Sequence, residues 1–506
     1  MKDKIARHIL ILLFVCSLGY AKSSTVRIAG LATEHKGSTI YALTFHDIYT
    51  QSLQKIAQAT IDSTGKFVLD IPCNEIEYLQ LRLNYLNAKM WIQPEQEYQI
   101  TILPLPEGKS ISINNRTTVP YTFDRLDEND INYKILSYNS AFDLFFSENY
   151  ALIQSMTAPP SSHFQKVLKG DSIELKDSSL GKSKRALFIE KVMEFHQKLN
   201  EEDPIDGNSY FSIYRKMSIA DFLVNSGQKD RVIFENFIAN TPLVFENLAY
   251  QDFLKNFFKN YFADFTDKWG DNGLSKAVQE ADLESICQLL KKDDFILNDE
   301  MRDFVIIHAL YEVQNNRALN KQSIRDLFSE ISAKGSTEYI KNLAISAQQK
   351  MNKTAKGFPA YKFNLYNEKE ELKSLENFSG KFIVLNFWTD WCSSCKKEMA
   401  LLAELNKKYK KHFQFVSINL DEDEEIMLDY LNSEKNKDWH FLHGKDPLLS
   451  ESYNVLSLPT FILLDQNGNF LNAYCKKPSE GLEETIYTLF QKEELKAKSN
   501  RRTGKK

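Results

Sequence analysis

At 506 residues the chain is too long for one ordinary domain, and its length points to about three. A content of 43% hydrophobic and 12% aromatic residues, with only 18 glycines and 13 prolines, excludes long disordered or low-complexity stretches. The small, mixed net charge of −5 excludes a chain-wide nucleic-acid-binding surface.

The N-terminus has a basic lead, "MKDKIARH", and then "ILILLFVCSLGY", an apolar stretch of about a dozen residues. Gly19 and Ala21 in "GYAKSS" supply small residues before a cut. This is the layout of a secretory signal peptide over residues 1–21, cleaved near Ala21, so the chain is expected to be exported and periplasmic. An uncleaved anchor is the alternative; Val15 before Cys16 disfavours a lipoprotein signal. No other segment reaches about 18 consecutive apolar residues.

Residues 22–118 read as an all-β, sandwich-like domain. Its apolar residues alternate in "VRIAG", "STIYALTF", "KFVLDI", "EYLQLRLNYL" and "EYQITI", as far as about Ile113, with turns at Asp62–Lys66 and Gln93–Glu97.

Over 119–355 the period changes to that of a helix, and an α-helical middle domain is expected. "SIADFLVN", "RVIFENFIAN", "FENLAYQDFLKNFFKNYFADF", "DFVIIHALYEV" and "STEYIKNLAISAQQ" carry the pattern, with Ser218 and Ser336 as helix-start signals. The many aromatics read as helix packing rather than as a ligand groove, and His163, His196 and His308 as ordinary histidines.

Over 356–492 strand and helix alternate in the manner of a compact α/β unit. "KFIVLNFW" is a strand buried on both faces, and the helix after it carries Met399, Leu402, Leu405 and Tyr409 on one side. "FQFVSINL", "EEIMLDYLNS", and a "TFILLD"/"NFLNAY" hairpin turning on "QNGN" follow, and "SEGLEETIYTLFQK" closes as a helix. Residues 493–506 are a basic tail that reads as a solvated, frayed terminus, with contact to an anionic surface as the alternative.

Without Cys16 five cysteines remain, an odd number too small for a stapled framework. Cys73, Cys287 and Cys475 are scattered and read as small buried residues. Cys392 and Cys395 differ, because a buried strand delivers Cys392 to the first turn of a helix. Unpaired N–H groups and the helix dipole there stabilise a thiolate, pulling a thiol below its usual value of about 8.5. Cys392 is therefore expected to be exposed and nucleophilic, and Cys395, one turn on, to resolve a mixed disulfide. Glu398 follows three residues later on the same helix face, close enough to couple with the second thiol. A zinc site would need further ligands, and haem attachment needs His where Lys396 stands. Thr389-x-x-Cys392 lacks the peroxiredoxin proline, with Leu385 in its place.

"FIVLNFWTDWCSSCKKEM" followed by "LSLPTFILLD" resembles the TlpA/ResA-type thiol–disulfide oxidoreductases, an exported branch of the thioredoxin fold. The resemblance runs from about Gly357 to Lys492, and the accessory regions look like those of large Bacteroidota-type members. It implies a thioredoxin-like C-terminal domain with a redox-active dithiol at Cys392 and Cys395, in which Glu398 helps move protons. It also implies a cis-proline at Pro459, with Trp391, Leu458 and Pro459 contacting substrate. Trp388 also flanks the site, and Asn386 stands where classical thioredoxins have a buried aspartate. Ser394 and Ala400 replace prolines frequent in the family; Ser394 restores a backbone N–H and adds a hydroxyl near the sulfurs. The expected partners are disulfide-bearing exported proteins and an upstream membrane electron donor, without nucleic acid, metal or small-molecule cofactor. Reduction of partner disulfides is the expected direction. The alternative is a binding adaptor in which the cysteines act as a redox switch.

Overall fold

The computed structural model describes residues 24–503 except 48, 84–85, 107–116, 158–177, 203–206, 208, 422 and 434–437. The signal-peptide segment with Cys16, Ile113 and His163 lie outside the described residues.

The first nine strands are β1 (Thr25–Leu31), β2 (Thr39–Asp47), β3 (Ser52–Thr60), β4 (Lys66–Pro72), β5 (Glu77–Leu83), β6 (Leu86–Ile92), β7 (Glu97–Ile102), β8 (Thr117–Thr118) and β9 (Tyr121–Phe123). They form a β4-β1-β7-β9 sheet and a β3-β2-β5-β6-β8 sheet. Alternate residues of both, among them Val26, Ile28, Ile40, Ala42, Leu79 and Met90, meet in one core. The sequence pattern misses β3, an edge strand with much of both faces wet, and does not separate β6, whose Leu86, Ala88, Met90 and Ile92 alternate into the core, from β5. "EYLQLRLNYL" is not one run, because β5 ends at Leu83 and β6 begins at Leu86. The β3–β4 turn is set by Asp62, whose Oδ1 accepts from Thr64 N at 2.7 Å and Lys66 N at 3.0 Å. Gly65 takes φ +88° there, with Thr33 Cα 2.8 Å from where a Cβ would sit.

The middle of the chain folds as α1 (Ile131–Thr157), α2 (Ser178–Glu202), α3 (Tyr210–Asn225), α4 (Asp230–Ile233), α5 (Leu248–Phe257), α6 (Tyr261–Trp269), α7 (Leu274–Glu280), α8 (Leu283–Leu290), α9 (Asp299–Val313), α10 (Lys321–Lys334) and α11 (Glu338–Asn352). Two helix starts differ from expectation. Ser218 lies inside α3 and donates to Tyr214 O at 2.8 Å, because the helix begins earlier at the cap Ser209. Thr337, not Ser336, caps α11, because its Oγ1 accepts from Ile340 N at 3.3 Å, while Ser336 N donates to Asp303 Oδ2 at 2.9 Å. "FENLAYQDFLKNFFKNYFADF" breaks into α5 and α6 at Asn260, which takes φ +55°.

The aromatic residues pack helices, as expected, and also fasten them to the sandwich. Trp91 Nε1 donates to Tyr210 OH at 3.0 Å, and Tyr98 OH to Asp130 at 2.9 Å. Tyr49 enters the helical core and its hydroxyl lies 2.7 Å from His308 Nδ1.

The last part is a seven-stranded sheet with β10 (Asn364–Asn367), β11 (Leu372–Ser374), β12 (Phe382–Trp388), β13 (Phe413–Asn419), β14 (His440–His443), β15 (Thr460–Leu464) and β16 (Phe470–Asn472), ordered β11-β10-β14-β13-β12-β15-β16. β12, β13 and β14 are parallel neighbours, and β15 and β16 are antiparallel. Its helices are α12 (Ser393–Tyr409), α13 (Glu424–Ser433), α14 (Leu449–Ser452) and α15 (Leu482–Thr503). The helical backbone of α15 continues into the basic run instead of ending at Lys492.

This sheet is seated on the rest of the chain. Tyr41 OH donates to Lys445 O at 3.3 Å, and the buried Arg82 of β5 donates to Pro447 O at 2.6 Å. Arg82 also pairs with Glu451 of α14 at 3.6 Å. Among the described residues no helix is long and apolar enough to cross a membrane.

Candidate active site

All seven residues of β12 are buried, which places the strand end at the centre of the sheet, where the chain turns into α12. Cys392 is the N-cap of that helix. It is disulfide-bonded to Cys395, with S–S 2.03 Å and Cα–Cα 5.2 Å. Cys392 Sγ accepts from the Cys395 N–H at 3.1 Å and lies 3.3 Å from Ser394 Oγ. An N-terminal helix amide and a hydroxyl thus converge on the sulfur that would carry charge once the bond opens.

One expectation fails in this oxidised form: Cys392 is only 6% exposed. The disulfide packs with Trp388, Met399, Met427 and Phe441, with Leu458 against the same cluster. The exposed group is Trp391, 68% accessible. Leu458 precedes the buried Pro459, and the Leu458–Pro459 peptide is cis.

Glu398 is 8% exposed, and its carboxylate is held from another part of the chain. Ser479 N donates to Oε2 at 3.0 Å and Ser479 Oγ to Oε1 at 2.5 Å. The structure therefore engages Glu398 with Ser479 rather than with Cys395. Asn386 is fully buried and donates to Ser417 Oγ at 3.2 Å, with Trp439 Nε1 on the same oxygen at 2.9 Å.

The loop carrying Trp391 is pinned from the end of β13. Asp421 accepts from Asp390 N at 2.7 Å and from Asn419 Nδ2 at 2.7 Å, and Leu420 N donates to Trp388 O at 2.8 Å. Lys396 closes the other side with an ion pair to Asp390 at 2.6 Å. Asp390, Asp421 and Ser479 are residues that sequence reasoning misses. Ser479 lies 81 positions from Glu398, and no local pattern connects them.

The other described cysteines, Cys73, Cys287 and Cys475, are free. Burial pushes the Cys73 thiol up to about 11 and Cys475 to about 12, and raises Cys287. Among the described residues no cluster of His, Cys, Asp and Glu fits a metal ion.

A family profile described as thioredoxin-like matches residues 380–470. The thiol–disulfide oxidoreductase ResA of Bacillus thuringiensis subsp. konkukian is 33% identical over 127 residues, spanning 24% of this chain and 70% of that protein. The chain belongs to the ResA family of thiol–disulfide oxidoreductases. Another relative is the thioredoxin-like protein YneN of Bacillus subtilis, 32% identical over 113 residues, 22% of this chain and 66% of that protein. Among solved structures, a thiol-disulfide oxidoreductase from Bacteroides fragilis is 35% identical over 22% of this chain and 88% of that one, with TM-score 0.21. The ResA likeness lies in the C-terminal part of the chain, and the enzyme class follows from it: this is a thiol–disulfide oxidoreductase with a thioredoxin-like domain.

Proposed function

We propose that the chain is an exported oxidoreductase that reduces disulfides of partner proteins through Cys392 and Cys395. The observation that carries this is the Cys392–Cys395 pair at the first turn of α12, with the Cys395 amide on the Cys392 sulfur. In the reduced enzyme the Cys392 thiolate attacks one sulfur of the partner disulfide. A mixed disulfide forms, and the partner's other sulfur leaves as a thiolate. The Cys395 thiolate then attacks Cys392 Sγ, closing the intramolecular disulfide and releasing the second partner thiolate. Two electrons pass from the dithiol to the partner, and two protons end on its cysteines. A thiol donor restores the dithiol by the reverse exchange.

Glu398 relays the proton of Cys395, and Trp391, Leu458 and Pro459 receive the partner backbone. Burial of Cys392 supports selectivity for disulfides that reach in past Trp391. The basic lead and apolar stretch at the N-terminus support export, and a membrane donor of electrons fits that compartment.

A Cys395→Ser variant tests the proposal, because it stops the cycle at the first covalent intermediate. Mixed disulfides through Cys392 should accumulate and disappear on adding dithiothreitol. Absence of any trapped species, together with ordinary thiol reactivity at Cys392, would favour the adaptor reading.

A further inference from the structure

A groove of about 660 Å³ lies between the sandwich and the thioredoxin-like sheet, a size suited to a short peptide segment. Glu34 lines it from the sandwich, Glu368 and Glu370 from the β10–β11 turn, and Asp421, Glu424 and Glu425 from the start of α13. Lys36 and Lys445 are the lysines in its wall. None of these six carboxylates forms a salt bridge with the described residues, whereas carboxylates elsewhere, such as Asp390, Glu330 and Asp438, do. Such a concentration of unneutralised charge between low-dielectric walls focuses a negative potential.

A second feature of the wall points to a ligand rich in N–H donors. His443 lines the groove at 2% exposure. Its Nε2 lies 3.0 Å from Asp421 O, so that nitrogen carries the proton, and Nδ1 is a bare acceptor. Nδ1 has no partner among the described residues, and burial lowers the ring's proton affinity, keeping it neutral. The groove also touches the active-site loop, because Asp421 lines it and accepts the Asp390 N–H two residues before Cys392.

We infer that this groove binds a Lys/Arg-rich segment of the partner polypeptide and so helps bring its disulfide to the active-site loop, an inference that rests on the exchange reaction proposed above. A cationic segment supplies the charge that the carboxylates lack, and a donor from it that penetrates the wall would meet in His443 Nδ1 an acceptor with no partner among the described residues.

The test uses the full chain in its oxidised form and fluorescein-labelled hexalysine, with hexaglutamate as control. Hexalysine should bind, with affinity falling as ionic strength rises from about 0.05 to 0.5 M, and hexaglutamate should not. The variant Glu368→Gln/Glu370→Gln/Glu424→Gln/Glu425→Gln should weaken hexalysine binding by about tenfold or more. Glu34→Lys alone should weaken it in the same sense from the opposite wall. Both variants should reduce a small neutral disulfide, bis(2-hydroxyethyl) disulfide, at the wild-type rate. Equal binding of the two peptides, or unchanged hexalysine affinity in both variants, overturns the groove. A tenfold gain in hexalysine affinity on deleting residues 496–506 also overturns it, by making the chain's own basic end the occupant. Failure of the wild type to reduce the neutral disulfide would instead strike the exchange reaction and leave the binding result standing.

Discussion

Ser479 holds both oxygens of Glu398, through its backbone N–H at 3.0 Å and its hydroxyl at 2.5 Å. A carboxylate fixed in this way cannot swing freely, so its distance from the Cys395 thiol is set by a residue outside α12. Ser479→Ala removes the hydroxyl and keeps the amide. It should cost about 1.5–3 kcal/mol of stability in denaturant titration, the value of a hydrogen bond to a charged group. Single-turnover reduction of a peptide disulfide should slow as well, by less than the roughly hundredfold expected of Glu398→Gln. Full activity in Glu398→Gln would remove Glu398 from the proton path.

Ser394 contributes the hydroxyl 3.3 Å from Cys392 Sγ. Ser394→Ala should slow iodoacetamide alkylation of the reduced enzyme at neutral pH by a few-fold, because a thiolate loses one donor worth about 1 kcal/mol. The helix amide remains, so the rate should stay above that of an unfolded-chain cysteine. An unchanged rate would assign the whole stabilisation to the helix terminus.

Cys73, Cys287 and Cys475 bear thiols raised by burial and should stay unmodified under the same conditions. Mass spectrometry after brief alkylation of the reduced native protein should find label on Cys392 first. Early label on Cys475 would show that its environment opens in solution.

His308 makes the link between sandwich and helices sensitive to acid. Burial lowers it from 6.5 to about 4, with Lys255 adding to the effect, while Tyr49 and Glu312 face the ring. The unfolded chain therefore binds a proton that the folded chain refuses between these values. This stabilisation is present above about 6.5 and is lost as pH falls toward about 4. From pH 7 to 5 the loss should be about 2 kcal/mol. In urea titrations at the two pH values, His308→Gln should lose less stability on acidification than the wild type. Parallel pH dependence in both would exclude His308 as the sensor.

Much of the candidate site was legible because its signals are local. The apolar run of β12, the spacing of the cysteines and the start of α12 lie within a few turns of chain, and Asn-Gly in "QNGN" announces the β15–β16 hairpin. Ser394 could be placed near sulfur for the same reason. Ser479 and Asp421 could not, since they reach their partners through tertiary packing. β6 alternates, with Leu86, Ala88, Met90 and Ile92 turned to the core, but it begins only three residues after Leu83 of β5, so the two strands read as one run. Ser218 misled because serine inside a helix can satisfy itself on the carbonyl four residues back. The burial of Cys392 depends on Met427 and Phe441, which lie on α13 and β14.

Arg82 gives the N-terminal half of the chain a bearing on catalysis that no active-site residue reveals. From within the sandwich it grips Pro447 and Glu451, just ahead of the loop that leads to Pro459, while Lys350 of α11 donates to Thr50 O at 3.1 Å. Held at such points, the redox centre is fastened to the sandwich and the helices instead of being carried on a free tether. A thioredoxin-like domain on a flexible linker searches at a raised local concentration. For the exchange proposed above, a redox centre fixed in this way leaves the search to the mobility of the partner segment.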